Sequence, residues 1–314
     1  MLKYTINRIL SLVPVLLVVS ITVFMIVHLT PGNPALVILG EDASAESIIQ
    51  LEHQLGLDQP IFIRFFEWLF NVLQGDLGTS IFTSEPVLEI ILNRIGPTLS
   101  LTVLSLILTL TISIPLAIFT VWKRNTFMDP LFISASLLGV SLPEFWLAIL
   151  LVMTFAVAIP ILPVAGYIPI SDGFVGWIYH LILPAFILAA VEIGLIARML
   201  RDGMLESIHK DYTRTARAKG LREGSVLMKH VFANALIPTT TVLGNTVAGL
   251  MGGTVIIETI FTIPGIGQLL VDSIYRRDYP VVQGVILFIA SMYVLVNLVI
   301  DFLYTLLDPR IRYD

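Results

Sequence analysis

Asp211-Tyr-Thr-Arg-Thr-Ala-Arg-Ala-Lys-Gly220-Leu221, running on to Asn234-Ala-Leu-Ile-Pro238, is the largest island of positive charge in the chain. It belongs to a segment, Arg198 to Lys229, that is too polar to cross a membrane and lies between two long apolar runs. Asp211 is placed to cap a helix, because a carboxylate accepts from the free amides of the first turn. That helix would run through Tyr212, Thr215, Ala216 and Lys219. Gly220 would stop it in the C′ position, where glycine tolerates the left-handed backbone, and Leu221 would pack back on it. The small side chain of Ala216 leaves room for close approach. A short, rigid helix projecting from a membrane suits a groove in another protein. The same charge would equally hold a basic loop near anionic lipid.

Composition supplies the setting. The 314 residues are 56% hydrophobic and 13% charged. Soluble domains average about 45–50% apolar and about 25% charged. Both departures indicate a membrane protein. The chain has no cysteine, which excludes disulfides and cysteine-ligated zinc. No two of its five histidines have the spacing of a helical metal site.

A membrane-spanning helix needs about 20 mostly apolar residues. Six runs qualify: Ile9–Leu29, Leu99–Val121, Pro130–Ile159, Leu181–Leu200, Leu236–Ile257 and Val281–Leu307. The first is too long for a signal-peptide core and no small-x-small cleavage site follows it, so it is read as a retained span. With the N-terminus in the cytoplasm, 14 of the 18 lysines and arginines fall on the inner side. Only Arg64, Arg94, Arg276 and Arg277 fall outside. The positive-inside rule therefore places both termini in the cytoplasm. The expected division is a first span plus long external loop over 1–97, a five-span core over 98–308 with its cytoplasmic loop at about 201–236, and a tail over 309–314.

The first external loop opens on a turn cluster, Thr30-Pro-Gly-Asn-Pro34. Ser44–Leu55 reads as a short polar helix ending at Gly56. Ile61–Leu73 carries an aromatic stripe of Phe62, Phe65, Phe66, Trp68 and Phe70. Such a stripe suits packing or anchoring at a membrane interface better than ligand binding. The loop holds nine acids against Arg64 and Arg94, a face that is either simply solvated or able to dock a soluble partner.

Inside the spans, Pro143 breaks a helix and places Glu144 beside the break. A carboxylate at mid-membrane costs about 2.5–3.5 kcal/mol, so Glu144 and Glu192 must each face a cavity, a partner or a hydrogen-bond donor. Glu192 and Arg198 are six residues apart and do not share a helix face. Glu192 either lines a pathway or bonds to a neighbouring helix. In the fifth span Gly244, Ala248 and Gly252 lie on one line, with Gly249 and Gly253 on the next. Small residues at this spacing let backbones approach closely, within the chain or between two chains. Pro264-Gly-Ile-Gly267 then breaks the chain before a short amphipathic piece that suits an external re-entrant or interfacial position.

The stretch from Asp211 to Leu221 resembles the coupling motif of ABC-importer permeases of the dipeptide, oligopeptide and nickel class. The resemblance covers essentially the whole chain. It includes Pro31-Gly-Asn-Pro34, Leu55-Gly-Leu-Asp-Gln-Pro60, Gly75-Asp-Leu-Gly78, Pro97-Thr-Leu99 and Asn234-Ala-Leu-Ile-Pro238. It closes with Pro264-Gly-Ile-Gly267, Arg277-Asp-Tyr-Pro280 and Asp308-Pro-Arg-Ile-Arg312. Ala216 and Gly220 match the last alanine and the glycine of the shared Glu-Ala-Ala-x3-Gly motif, whereas Arg214 and Thr215 depart from it. The resemblance implies an all-α, six-span fold of type I in the inner membrane. It implies a second homologous permease, two ABC ATPase subunits carrying ATP and magnesium, and an external solute-binding protein. Di- and oligopeptides are the broadest use of the class; glutathione, nickel chelates and other small solutes are the alternatives.

No P-loop pattern occurs, so ATP would act on partner subunits. ATP and the loaded binding protein would have to favour the same state. A stand-alone proton-coupled transporter using Glu144 and Glu192 is the rival, although no clear internal repeat supports it. An intramembrane enzyme lacks any His-Glu-x2-His or Gly-x-Ser-x-Gly set. Nothing in the chain suggests nucleic-acid binding, and no resident cofactor or metal is expected.

Overall fold

The computed structural model describes residues 2–29, 39, 44–54, 58–124 and 126–307. The expected turn at residues 30–34, Gly56 and the 309–314 tail lie outside them. The chain forms two compact units, one of Met1–Gly96 with Gly265–Leu295 and one of Pro97–Pro264 with Val296–Asp314. The first division falls between Gly96 and Pro97, and the segment 265–295 belongs with the N-terminal unit.

The first unit begins with α1 (Leu2–Leu29), which carries Pro14 within it. α2 (Ala45–Gln54) is the expected polar helix; the Ser44 hydroxyl receives the Ser47 amide at 3.2 Å, an N-cap. α3 (Ile61–Leu73) carries the aromatic stripe. The apolar core of the unit gathers Val87 and Ile91 with Ile266, Val281 and Val285. They come from the start of α4 (Val87–Trp122), from α11 (Ile266–Arg276) and from the start of α12 (Tyr279–Leu307).

Two motifs of the sequence meet in this unit. Asp76 accepts the Gly78 amide at 2.8 Å, a tight turn that Gly75 and Gly78 enter at φ +88° and +85°. The Ser80 hydroxyl then donates to Asp278 at 2.5 Å, and the Ile81 amide donates to the same carboxylate at 3.2 Å. Ser80 Oγ itself receives the amides of Phe82 and Thr83. The buried Asp278 thus has donors from the loop it holds, the condition for burying a carboxylate.

The second unit is built on α7 (Phe174–Ile208), which is apolar on most sides and carries many of the unit's buried residues. A helix that is apolar all round belongs in a core. The expected third span is two helices, α5 (Met128–Ser141) and α6 (Glu144–Val152). The break lies at Leu142–Pro143, where Leu142 is extended, as a residue before proline prefers. α6 runs into a π-helical turn, Met153–Ala158. α10 (Ala233–Ile260) packs against α7.

Each of the six expected spans coincides with helical structure among the described residues. α4 and α7 outrun expectation at 36 and 35 residues. At about 1.5 Å per residue each exceeds a hydrocarbon core of about 30 Å, so their ends stand clear of it. Between α7 and α10 lie α8 (Asp211–Ala218), α9 (Glu223–Val226) and a π-helical turn, Leu227–Phe232.

Candidate coupling helix and buried carboxylates

α8 forms where the charged stretch predicts it, and its ends decide its shape. Lys210, in extended backbone, precedes the helix, and Asp211 is its first residue. Asp211 therefore is not the cap: no side chain caps this helix. Its carboxylate still lies at the positive end of the helix dipole and sits 3.7 Å from Arg214. Lys210 is held above its ordinary pKa by its hydrogen bond to Glu206.

The C-terminal end is a Schellman motif. The Gly220 amide donates to Arg217 O at 2.9 Å and the Leu221 amide to Ala216 O at 3.4 Å. Gly220 takes φ +75°, the left-handed conformation that a side chain disfavours. Leu221 remains 41% exposed, so the backbone rather than its side chain closes the motif.

α8 is fixed to the end of α7. The buried Thr213 hydroxyl donates to Ser207 O at 2.8 Å, a second donor to a helix-end carbonyl that also accepts the Lys210 amide at 3.3 Å. Ala216 faces inward, packed in a cluster with Val121, Leu200, Met204 and Ile208. The room it leaves is used by its own chain. Tyr212, Thr215, Lys219, Gly220 and Leu221 face outward. Beyond the helix, Arg217 makes a two-pronged pair with Glu223, Nε to Oε1 at 2.8 Å and Nη2 to Oε2 at 3.3 Å. Both line a cavity of about 250 Å³ with Val121, Trp122, Arg124 and Ile208.

Deeper in the same unit, α7 carries Glu192, which receives the Thr246 hydroxyl of α10 at 2.6 Å. The missing Cβ of Gly249 would lie 3.6 Å from Glu192 Oε1. The carboxylate thus lies against the small-residue side of α10. Glu144 is half-buried at the first turn of α6, and α6 packs against α7, the helix that carries Glu192.

The small residues of α10 meet different surroundings. A Cβ on Gly244 would lie 2.9 Å from Ile300 Cγ2, a close approach to α12. Gly252 has open space at that position. The side-chain surroundings of Ala248 and Gly253 lie outside the described residues. Among the described glycines, the closest approach to another helix's backbone is at Gly194 of α7, where a Cβ would lie 3.0 Å from Ser136 O of α5.

Three further polar contacts escaped the sequence reading. Glu258, fully buried, accepts the Thr98 hydroxyl at 2.6 Å, joining α4 to α10. Its signal was a carboxylate placed immediately after an apolar run. Arg201, buried on α7, pairs with Asp129 at the start of α5 and with Asp202 at 3.1 Å. By sequence alone it is indistinguishable from the basic residues of the polar segment Arg198 to Lys229. Thr246, donor to Glu192, carries no signal in a single sequence beyond being a hydroxyl in an apolar run.

Residues 113–313 match the family described as binding-protein-dependent transport system inner membrane component. Residues 1–102 match the N-terminal model of the same membrane components. A protein of Brucella abortus (strain 2308) assigned as a peptide transport system permease is 46% identical over 98% of both chains. The dipeptide transport system permease of Alkalihalophilus pseudofirmus is 41% identical over the full length of both. The glutathione transport system permease of Salmonella typhimurium (strain LT2) is also 41% identical over both full lengths. A solved chain of an amino acid ABC transporter with histidines aligns with 71% of this chain and 94% of its own, at 17% identity and a TM-score of 0.47.

Proposed function

The chain belongs to the inner membrane components of binding-protein-dependent transport systems, and from that membership we propose how its parts divide the work. It is a multi-pass inner-membrane permease and is not itself the catalytic component. Its cargo is a small peptide, the reading favoured by the peptide and dipeptide permeases it resembles. Glutathione, itself a small peptide, stays within that class.

α8 is the coupling helix. It receives the movement of an ATPase subunit on Tyr212, Thr215, Lys219, Gly220 and Leu221. Asp211 and Ala216 hold its N-terminal and inward sides. A second permease completes the pore, each permease meets one ATPase, and an external binding protein delivers the solute. Both termini are cytoplasmic. ATP and magnesium stay on the partner subunits. Gly244, Gly249 and Gly252 let α10 pack closely within the chain and against the second permease. Glu144 and Glu192 line or flank the path the solute takes.

The observation that carries this reading is the attachment of α8. The Thr213–Ser207 bond and the packing of Ala216 with Leu200, Met204 and Ile208 fasten it to the end of α7, which supports a route for a push on its exposed face into the helix at the centre of its unit. The test replaces Gly220 by Trp (Gly220→Trp) in cells carrying the whole transporter. Insertion of the chain persists, while ATPase co-purification and uptake of labelled dipeptide are lost. Unchanged assembly and uptake would remove the coupling role from α8.

A further inference from the structure

α3 (Ile61–Leu73) has three faces with three different surroundings. At about 100° per residue, Phe65, Trp68, Leu69 and Val72 share one side. Phe65 and Trp68 pack on Phe24 of α1, with ring centroids 5.3 and 5.6 Å away. Arg64, Glu67 and Asn71 share a second side. Phe62, Phe66, Phe70 and Leu73 share the third and are 74, 66, 63 and 77% exposed. A contiguous stripe of large apolar side chains is rare on a surface that meets only water.

The position of α3 along α1 says what covers the stripe. Phe24 precedes the end of α1 at Leu29 by five residues, about 7.5 Å along a helix axis. An interfacial helix buries its apolar face about 5–10 Å into the boundary between headgroups and acyl chains. The packed side of α3 therefore meets the first span at interfacial depth. α1 itself exposes Leu17, Val18, Ile21 and Met25, an apolar surface suited to lipid. The stripe is mainly phenylalanine, and one arginine and one glutamate cancel in charge, so apolar insertion rather than attraction to anionic lipid supplies the driving force.

We propose that α3 is a membrane-interface helix at the end of α1 away from the chain's N-terminus. It lays Phe62, Phe66, Phe70 and Leu73 into the lipid, turns Arg64, Glu67 and Asn71 to water, and braces α1 through Phe24. Its partner is the bilayer itself.

The absence of cysteine makes the test clean. Phe66→Cys, Phe70→Cys and Asn71→Cys are made singly in the full chain, with its transporter partners, and labelled with an environment-sensitive fluorophore. The labelled proteins are reconstituted in phosphatidylcholine vesicles, either plain or brominated near the glycerol end of the acyl chains. Quenching by the brominated lipid is several-fold stronger at positions 66 and 70 than at 71, and quenching by aqueous iodide shows the reverse order. Equal iodide access at all three positions would mean a solvated stripe. Shielding of 66 and 70 from both quenchers would mean that another protein covers it. Either result overturns the proposal, and neither bears on transport.

Discussion

Thr246 and Glu192, 54 residues apart, are joined by a 2.6 Å hydrogen bond from the hydroxyl to the carboxylate, linking α10 to α7. A carboxylate inside a membrane protein needs such a donor, and leaving a buried polar group unmet costs about 1–3 kcal/mol. Thr246→Val keeps the shape and removes the donor. Because Glu192 is only half-buried, the variant is expected to lower stability by about 1 kcal/mol, the low end of that range, read as thermal unfolding of the purified chain, with Thr246→Ser close to the parent. Glu192→Gln separates the bond from the charge. A glutamine cannot take up or release a proton, so ATP-dependent uptake by Glu192→Gln at the parental rate shows that Glu192 is not a proton carrier.

The glycines give a graded packing test. At Gly194 an added methyl meets the backbone oxygen of Ser136 at 3.0 Å, and backbone yields little. At Gly249 it meets a carboxylate oxygen at 3.6 Å, an ordinary contact, and at Gly252 it meets open space. Overpacking costs about 1–3 kcal/mol, whereas alanine in place of glycine inside a helix gains about 0.5–1 kcal/mol. Gly194→Ala is thus expected to lower the unfolding temperature, Gly249→Ala to change it little and Gly252→Ala to leave or raise it. Loss of uptake in stable Gly252→Ala protein would indicate a close approach by a second subunit there.

What could be read from residues alone divides along physical lines. Apolar runs are properties of consecutive residues, so helices at the six expected spans and the break before Pro143 were legible; among the described residues four of these helices are long and apolar enough to cross a membrane. The Schellman end of α8 was legible because Gly220 is a local requirement of backbone geometry. Side-chain direction was not. Whether Ala216 turns toward a partner or toward Leu200 depends on how α8 docks, and the docking is set by Thr213 reaching back to Ser207. The same limit applies to Asp211, which the backbone of Lys210 places one step inside the helix. Pairs far apart in sequence, Thr98 with Glu258 and Ser80 with Asp278, needed the fold to bring them together.

The tie between α8 and α7 yields a separable phenotype. Thr213 is fully buried, and its hydroxyl satisfies Ser207 O. Thr213→Val removes the tie and leaves Ser207 O with only the Lys210 amide at 3.3 Å, while keeping volume and the exposed face of α8. ATPase subunits should still co-purify, but hydrolysis should respond less to loaded binding protein, and uptake should fall several-fold. Thr213→Ser should restore the response. An unchanged response in Thr213→Val would show that α8 transmits motion without this bond.

Arg201 and Asp129 form a nearly buried ion pair, with side chains 10% and 18% exposed, that ties α7 to the first turn of α5. Removing one partner of such a pair costs about 3–5 kcal/mol because the other charge is left stranded. Replacing both with apolar groups of similar size is often neutral or stabilising. Arg201 also holds Asp202, so its removal frees a second, more exposed carboxylate that water can solvate. Arg201→Met alone should therefore be severely destabilised, and Asp129→Leu alone nearly as much. The double variant Arg201→Met with Asp129→Leu should recover most of the lost unfolding temperature. If the folded double variant has full uptake, the pair serves the fold alone. If it stays folded but loses uptake, the charge pair itself takes part in moving α5 with α7, and equally stable single variants would instead show that the pair contributes nothing measurable.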